Sequence, residues 1–129
     1  MFIGECHSLK KVNLPNLTEL FHNRGFIGKC PALREIYMPS LTNIVNLGGW
    51  IDATPAPGTG TKNIATLFAE NPLLTDVTLG VKATILKAMT GFPGGAPDTC
   101  IFHCPADAPN DVTIVKRNGT WEIVNNGTY

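Results

Sequence analysis

The sequence predicts a strand-rich solenoid, in which turns of chain of similar length stack so that their short strands form a parallel sheet along one face. Three observations predict it: a frame of residues that recurs down the chain, an apolar alternation at strand spacing inside each copy, and a proline just after it. Recurrence on the scale of tens of residues marks an architecture whose units bury their apolar sides only against their neighbours.

The first copy reads Phe2-Ile3-Gly4-Glu5-Cys6-His7-Ser8-Leu9-Lys10-Lys11-Val12-Asn13-Leu14-Pro15 and continues Asn16-Leu17-Thr18-Glu19-Leu20. The frame returns at Phe26-Ile27-Gly28-Lys29-Cys30-Pro31-Ala32-Leu33-Arg34-Glu35-Ile36-Tyr37-Met38-Pro39, continuing Ser40-Leu41-Thr42-Asn43-Ile44. A third copy is Phe68-Ala69-Glu70-Asn71-Pro72-Leu73-Leu74-Thr75-Asp76-Val77-Thr78-Leu79, followed less faithfully by residues 80–85. Strand side chains alternate between faces, so Val12 and Leu14 share the inner face while Lys11 and Asn13 point outward. Pro15 and Pro39 end their strands, because proline has no N–H for the ladder. Leu17 with Leu20, and Leu41 with Ile44, are the expected inward residues of the returning wall.

Between copies two and three lies an insertion at about residues 46–66, punctuated by Gly48, Gly49, Pro55, Pro57, Gly58 and Gly60. Residues 61–70 are expected to form a short helix, with Thr61 as N-cap and Asn71-Pro72 as the stop. Trp50, inside the insertion, is either an anchor for the loop or a platform for a ligand, and the anchor is favoured. Residues 86–91 suggest a helical turn and 92–97 a loop. Ile101-Phe102-His103-Cys104-Pro105 then matches Lys11 to Pro15 as a fourth strand. Residues 112–124 read as a hairpin, since Asn118-Gly119 suits the two left-handed positions of a type I′ turn. The hairpin is taken as a cap over the last layer of the stack. The domain reading is a solenoid of about four layers over residues 1–105 and a hairpin cap over 106–129.

The frame Phe-x-x-x-Cys-x-x-Leu-x-x-Val/Ile-x-Leu-Pro resembles the BspA-like branch of the leucine-rich repeats, over residues 2–85 and the strand near Cys104. It departs from the commonest leucine-rich-repeat pattern, because Cys6, Cys30 and Asn71 precede the first leucine instead of following the Leu-x-Leu pair. The resemblance implies a right-handed leucine-rich-repeat solenoid with a parallel sheet on one face. It also implies a protein secreted by bacteria or exposed on their surface, in a group where some members are adhesins for host components.

Composition bounds the alternatives. The 129 residues suit one domain, and 43% hydrophobic with 16% charged residues describes an ordinary globular chain. Ten basic and ten acidic residues cancel without a basic block, so the counterion release that drives binding to nucleic acid is not expected. No apolar run approaches the roughly 20 residues of a membrane span. Met1 to Glu5 lacks the charged start and long apolar core of a secretion signal, which leaves the compartment open. The first copy begins near residue 1 with no capping element before it. Either it belongs to a longer repeat protein, the reading preferred, or that end self-associates.

The alignment also places the outward side chains. One row is Lys11, Glu35 and Asp76; the next is Asn13, Tyr37, Thr78 and His103. Lys10, Arg34 and Thr75 flank them at the strand entrances. Core positions repeat while these vary, which is how a scaffold presents a patterned surface. The bland alternative is a solvated face with a Lys11–Glu35 pair worth at most about 1 kcal/mol. With Trp50, these residues are the candidate binding set.

Asn71 standing where Cys6 and Cys30 stand suggests a small buried group that hydrogen-bonds the turn, and argues against a metal ligand. Cys100 and Cys104 lie four apart on a strand, too far to bridge. No nucleophile turn, oxyanion cradle or phosphate loop is present in the sequence, so neither catalysis, metal nor cofactor is expected. The expected function is recognition of a protein, such as a host extracellular one. The alternatives are a glycan-binding surface, with Tyr37 and Trp50 as stacking platforms, and an architectural spacer.

Overall fold

Each of the first two turns of chain lays down three short strands in succession. In the first turn these are β1 (Ile3–Gly4), β2 (Lys11–Asn13) and β3 (Glu19–His22); in the second, β4 (Ile27–Gly28), β5 (Glu35–Met38) and β6 (Asn43–Asn46). Each strand of the first turn pairs in parallel with its counterpart in the second, with Ile3 on Ile27, Val12 on Ile36 and Leu20 on Ile44. The molecule is a computed structural model that describes residues 3–22, 26–46, 64–108 and 112–125. The proposed anchor Trp50, and most of the insertion that carries it, lie outside the described residues.

The middle wall grows into the main sheet. β7 (Asp76–Leu79) joins β5 and β8 (Ile101–Cys104) joins β7, both parallel and in register, so that Val12, Ile36, Val77 and Phe102 form one column. β9 (Val112–Arg117) and β10 (Thr120–Asn125) extend the sheet antiparallel, giving the order β10-β9-β8-β7-β5-β2. The result is strand-rich with almost no helix, a parallel-sheet solenoid of about three turns. Helix α1 (Ala83–Ala88) sits after β7, its start tied by Asp107, whose Oδ2 accepts the Ala83 N–H at 2.9 Å. No helix among the described residues is long and apolar enough to cross a membrane.

The core lies inside the coil. Ile36, Val77 and Phe102 are fully buried, as are Leu33, Met38, Leu41, Ile44 and Leu74. Each such side chain contributes about 1.5–3 kcal/mol relative to an exposed one. Leu9, Leu14 and Leu17 of the first turn are only partly buried, since they have a neighbouring layer on one side alone. Leu20, Leu41 and Ile44 line the returning wall as their spacing predicts.

A repeated turn feeds each middle strand. The N–H of Leu9 bonds to the Cys6 carbonyl, Leu33 to Cys30, Leu74 to Asn71 and Cys100 to Pro97. Cys100 thus takes the leucine's place in the last turn, fully buried. Glu5, Lys29 and Glu70, each just before the Cys or Asn, hold φ of 57°, 55° and 64°. The thiols of Cys6 and Cys30 donate back to the carbonyls of Gly4 and Gly28. Asn71 does more: its Oδ1 accepts the Cys30 N–H at 3.2 Å, and its Nδ2 donates to the carbonyls of Ile27 and Phe68. One amide ties two turns together.

Two expectations are corrected. In the described part of 61–70 there is no helix; residues 65–70 form consecutive turns. The Leu67 carbonyl accepts N–H groups of Phe26 and Ile27 across the stack, and that cross-layer ladder displaces the bonding a helix needs. The third copy is also one residue shorter before its strand. Leu67 therefore stands where Phe26 does, and Phe68 stacks at Ile27's level. The hairpin covers the last layer by extending the sheet beyond β8. Val112 and Ile114 are buried, and Trp121 meets Phe92 and Phe102 edge-on at 5.4 and 5.7 Å. Its turn is as expected, with Asn118 and Gly119 both left-handed at φ 53° and 81°.

Close backbone approach explains one glycine. A Cβ on Gly80 would fall 2.6 Å from the Pro39 carbonyl oxygen of the preceding turn. The chain leaving β7 can pass so close because glycine carries only a hydrogen there.

Candidate functional site

The main sheet has a buried inner face, and its outer face carries the predicted rows. Lys11, Glu35 and Asp76 stand in register across β2, β5 and β7, and Asn13, Tyr37, Thr78 and His103 across β2, β5, β7 and β8. The stacked entrances come in the order expected, since the Lys10 carbonyl accepts from Arg34 and Glu35, and the Arg34 carbonyl from Thr75 and Asp76.

Alternation along each strand places the two rows on the same side, and there the side chains interact. The Lys11 ammonium lies 3.5 Å from Glu35 Oε1 and 5.6 Å from the centre of the Tyr37 ring. Both partners are well exposed, so the pair contributes well under about 1 kcal/mol. His103 Nε2 lies 2.9 Å from Asp76 Oδ1, a diagonal contact between strands. The Thr75 hydroxyl, 2.8 Å from Asp76 Oδ2 and 3.1 Å from the Arg34 carbonyl oxygen, holds the carboxylate's other edge at the strand entrance.

Glu35, Tyr37, Asp76, Thr78, His103 and Pro105 surround an open depression of about 500 Å³. Five of the predicted residues converge there. Lys11 reaches its rim through Glu35, Asn13 sits on the edge strand beyond it, and Trp50 lies outside the described residues. Thr78 is the unusual member: only 8% of it is exposed, and its hydroxyl has no hydrogen-bond partner among the described residues. Glu35 and Asp76 face each other directly on adjacent strands, an arrangement of like charges that weakens a sheet.

Sequence reasoning missed the His103–Asp76 bond and the part played by Pro105. Alignment places His103 opposite Thr78, and only the reach of the imidazole brings it to Asp76. Pro105 was read as a strand terminator alone. A second depression, of about 530 Å³, is lined by Thr42, Thr84, Ile85, Ala88, Met89 and Thr90 beside α1. Ile85 in its lining is more than half exposed.

No cysteine is among the residues that line the depression beside Tyr37. All four are free thiols. Burial, reinforced by the charge of Asp76, pushes the Cys100 thiol up to about 12; burial, with Asp107 adding to it, pushes Cys104 up to about 12. Both stay protonated at neutral pH, and the thiol is the poor form for attack or metal binding. Among the described residues no three His, Cys, Asp or Glu side chains converge as a metal site requires. Comparison with protein-family models, with curated proteins and with solved structures found no match.

Proposed function

We propose that the chain is a leucine-rich-repeat solenoid of the BspA-like kind that recognises a protein through the outer face of its main sheet, without catalysis. In this reading the turn at residues 97–100 and strand β8 make a fourth layer. The repeat frame supports the family, and placement on a bacterial surface rests on that resemblance alone.

The observation that carries the functional reading is the in-register pair of polar rows bordering a depression, on a sheet whose opposite side is the core. A rigid sheet presents its side chains with little entropy left to lose, and Tyr37 offers a large amphipathic contact at the centre. Thr78 borders the depression with a hydroxyl that has no hydrogen-bond partner among the described residues, a polar group a partner can use.

Affinity capture from host extracellular material, comparing the native chain with a Glu35→Ala/Tyr37→Ala variant, tests the proposal. The expected result is a protein held by the native chain and lost by the variant. Absence of any captured protein makes the chain a spacer. Binding on a glycan array with the same sensitivity to Tyr37 replaces the protein partner with a glycan.

A further inference from the structure

The depression between β5, β7 and β8 has a chemistry of its own. Glu35 and Asp76 are register partners, so their backbones lie about 4.8 Å apart and their carboxylates project to the same side. Each already has a cation or imidazole, but on its far flank: Lys11 on β2 beyond Glu35, His103 on β8 beyond Asp76. Among the described residues no lysine or arginine lines the space between them. One row further along the strands, beside Tyr37, Thr78 is only 8% exposed, and its hydroxyl, bordering the depression, has no hydrogen-bond partner among the described residues. A buried hydroxyl left unpaired is costly, and accepting an N–H from a visitor removes that penalty. Tyr37 is exposed enough for a cation to lie against its ring, as Lys11 does on the other side.

We infer that this depression receives an arginine side chain of the partner protein, an inference that rests on the protein-recognition reading given above. The guanidinium suits the geometry better than an ammonium. Its planar fork offers donors in several directions at once, so one group can bridge the Glu35 and Asp76 carboxylates and also donate to Thr78. Charge-assisted, two-point bonding of this kind is strong and oriented. It also relieves the repulsion between the two facing carboxylates.

The test uses a short glycine-flanked peptide carrying one arginine, titrated into isotope-labelled protein and followed by NMR. Matching peptides carry citrulline, which keeps the shape without the charge, or lysine. Saturable shifts at Tyr37, Thr78 and His103 are expected with arginine, about tenfold weaker binding with citrulline, and severalfold weaker with lysine. A Glu35→Gln/Asp76→Asn variant, near-isosteric and partly exposed, its fold checked by an amide spectrum retained away from the depression, is expected to bind the arginine peptide about tenfold less well. Thr78→Val is expected to lose roughly threefold. Equal binding of citrulline, or shifts centred elsewhere, overturns the inference; equal binding of lysine overturns the choice of guanidinium. The two readings fail separately. A protein captured through Tyr37 while the arginine peptide shows no preference sinks this inference alone, whereas absence of any captured protein sinks the recognition reading.

Discussion

Asn71 shows how one side chain fixes the relation between two turns of chain. Its amide satisfies the Cys30 N–H and the carbonyls of Ile27 and Phe68, all buried. Removing it orphans those groups, so Asn71→Ala is expected to lower stability by about 2–3 kcal/mol in denaturant unfolding; a loss below about 0.5 kcal/mol would show that the bonds are dispensable. The role was legible in the sequence, because Asn alternates there with Cys, and both are small groups able to bond a turn. Left-handed Glu5, Lys29 and Glu70 were not legible, since glutamate and lysine carry no preference for that conformation. The buried thiols make a second prediction. Below about pH 9 Cys100 and Cys104 are protonated in both folded and unfolded chains, and their contribution is complete. As pH rises from 9 toward 12 the unfolded chain releases these protons while the folded one holds them. Stability therefore falls, by up to about 1.4 kcal/mol per pH unit for each thiol. Unfolding measured from pH 8 to 11 should show a shallower decline in Cys100→Ala and Cys104→Ala than in the native chain. Equal slopes would contradict the assignment.

Elements differ in how plainly they announce themselves. The hairpin was readable because Asn118-Gly119 leaves few alternatives to a tight turn, and Val112 and Ile114 recur at strand spacing on one arm as Trp121 and Ile123 do on the other. What local pattern did not tell is that β9 pairs with β8, because strand neighbours are chosen by the whole sheet. Residues 64–70 misled for the converse reason. Ile64, Leu67 and Phe68 have helical spacing, yet they are buried because three stacked turns meet there, with Phe68 N–H bonded to the Gly94 carbonyl and Ile64 N–H to that of Thr90. Hydrogen bonds between layers outweigh local helical preference. The hairpin is fastened by Trp121 against Phe92 and Phe102 and by Lys116, whose ammonium lies 2.9 Å from Asp98. Trp121→Ala is expected to cost about 2 kcal/mol, less than for a fully buried aromatic because Trp121 is partly exposed. In native-state hydrogen exchange it should raise exchange in β9 and β10 before β5 and β7. Uniform acceleration across the sheet would show that the hairpin is not a separable cap.

On the scale of the whole molecule, the rows of the outer face are a product of stacking. Lys11, Glu35 and Asp76 are distant in sequence and meet only because Val12, Ile36 and Val77 lie beneath one another. That is why the candidate face was legible from an alignment of copies: the same register that buries one set of residues exposes the other. The depression was not legible, because its shape depends on His103 reaching Asp76 and on where Pro105 turns the chain away. If the layers were shifted by one residue, inward and outward sets would exchange and no polar face would remain.

Backbone NOEs across the main sheet test this most directly. In-register parallel stacking predicts a continuous set of amide-to-Hα contacts linking Val12 to Ile36, Ile36 to Val77 and Val77 to Phe102. Contacts that pair these residues out of register, or that scatter Val12 and Val77 to unrelated partners, would contradict the stack and remove the surface on which recognition is proposed to occur.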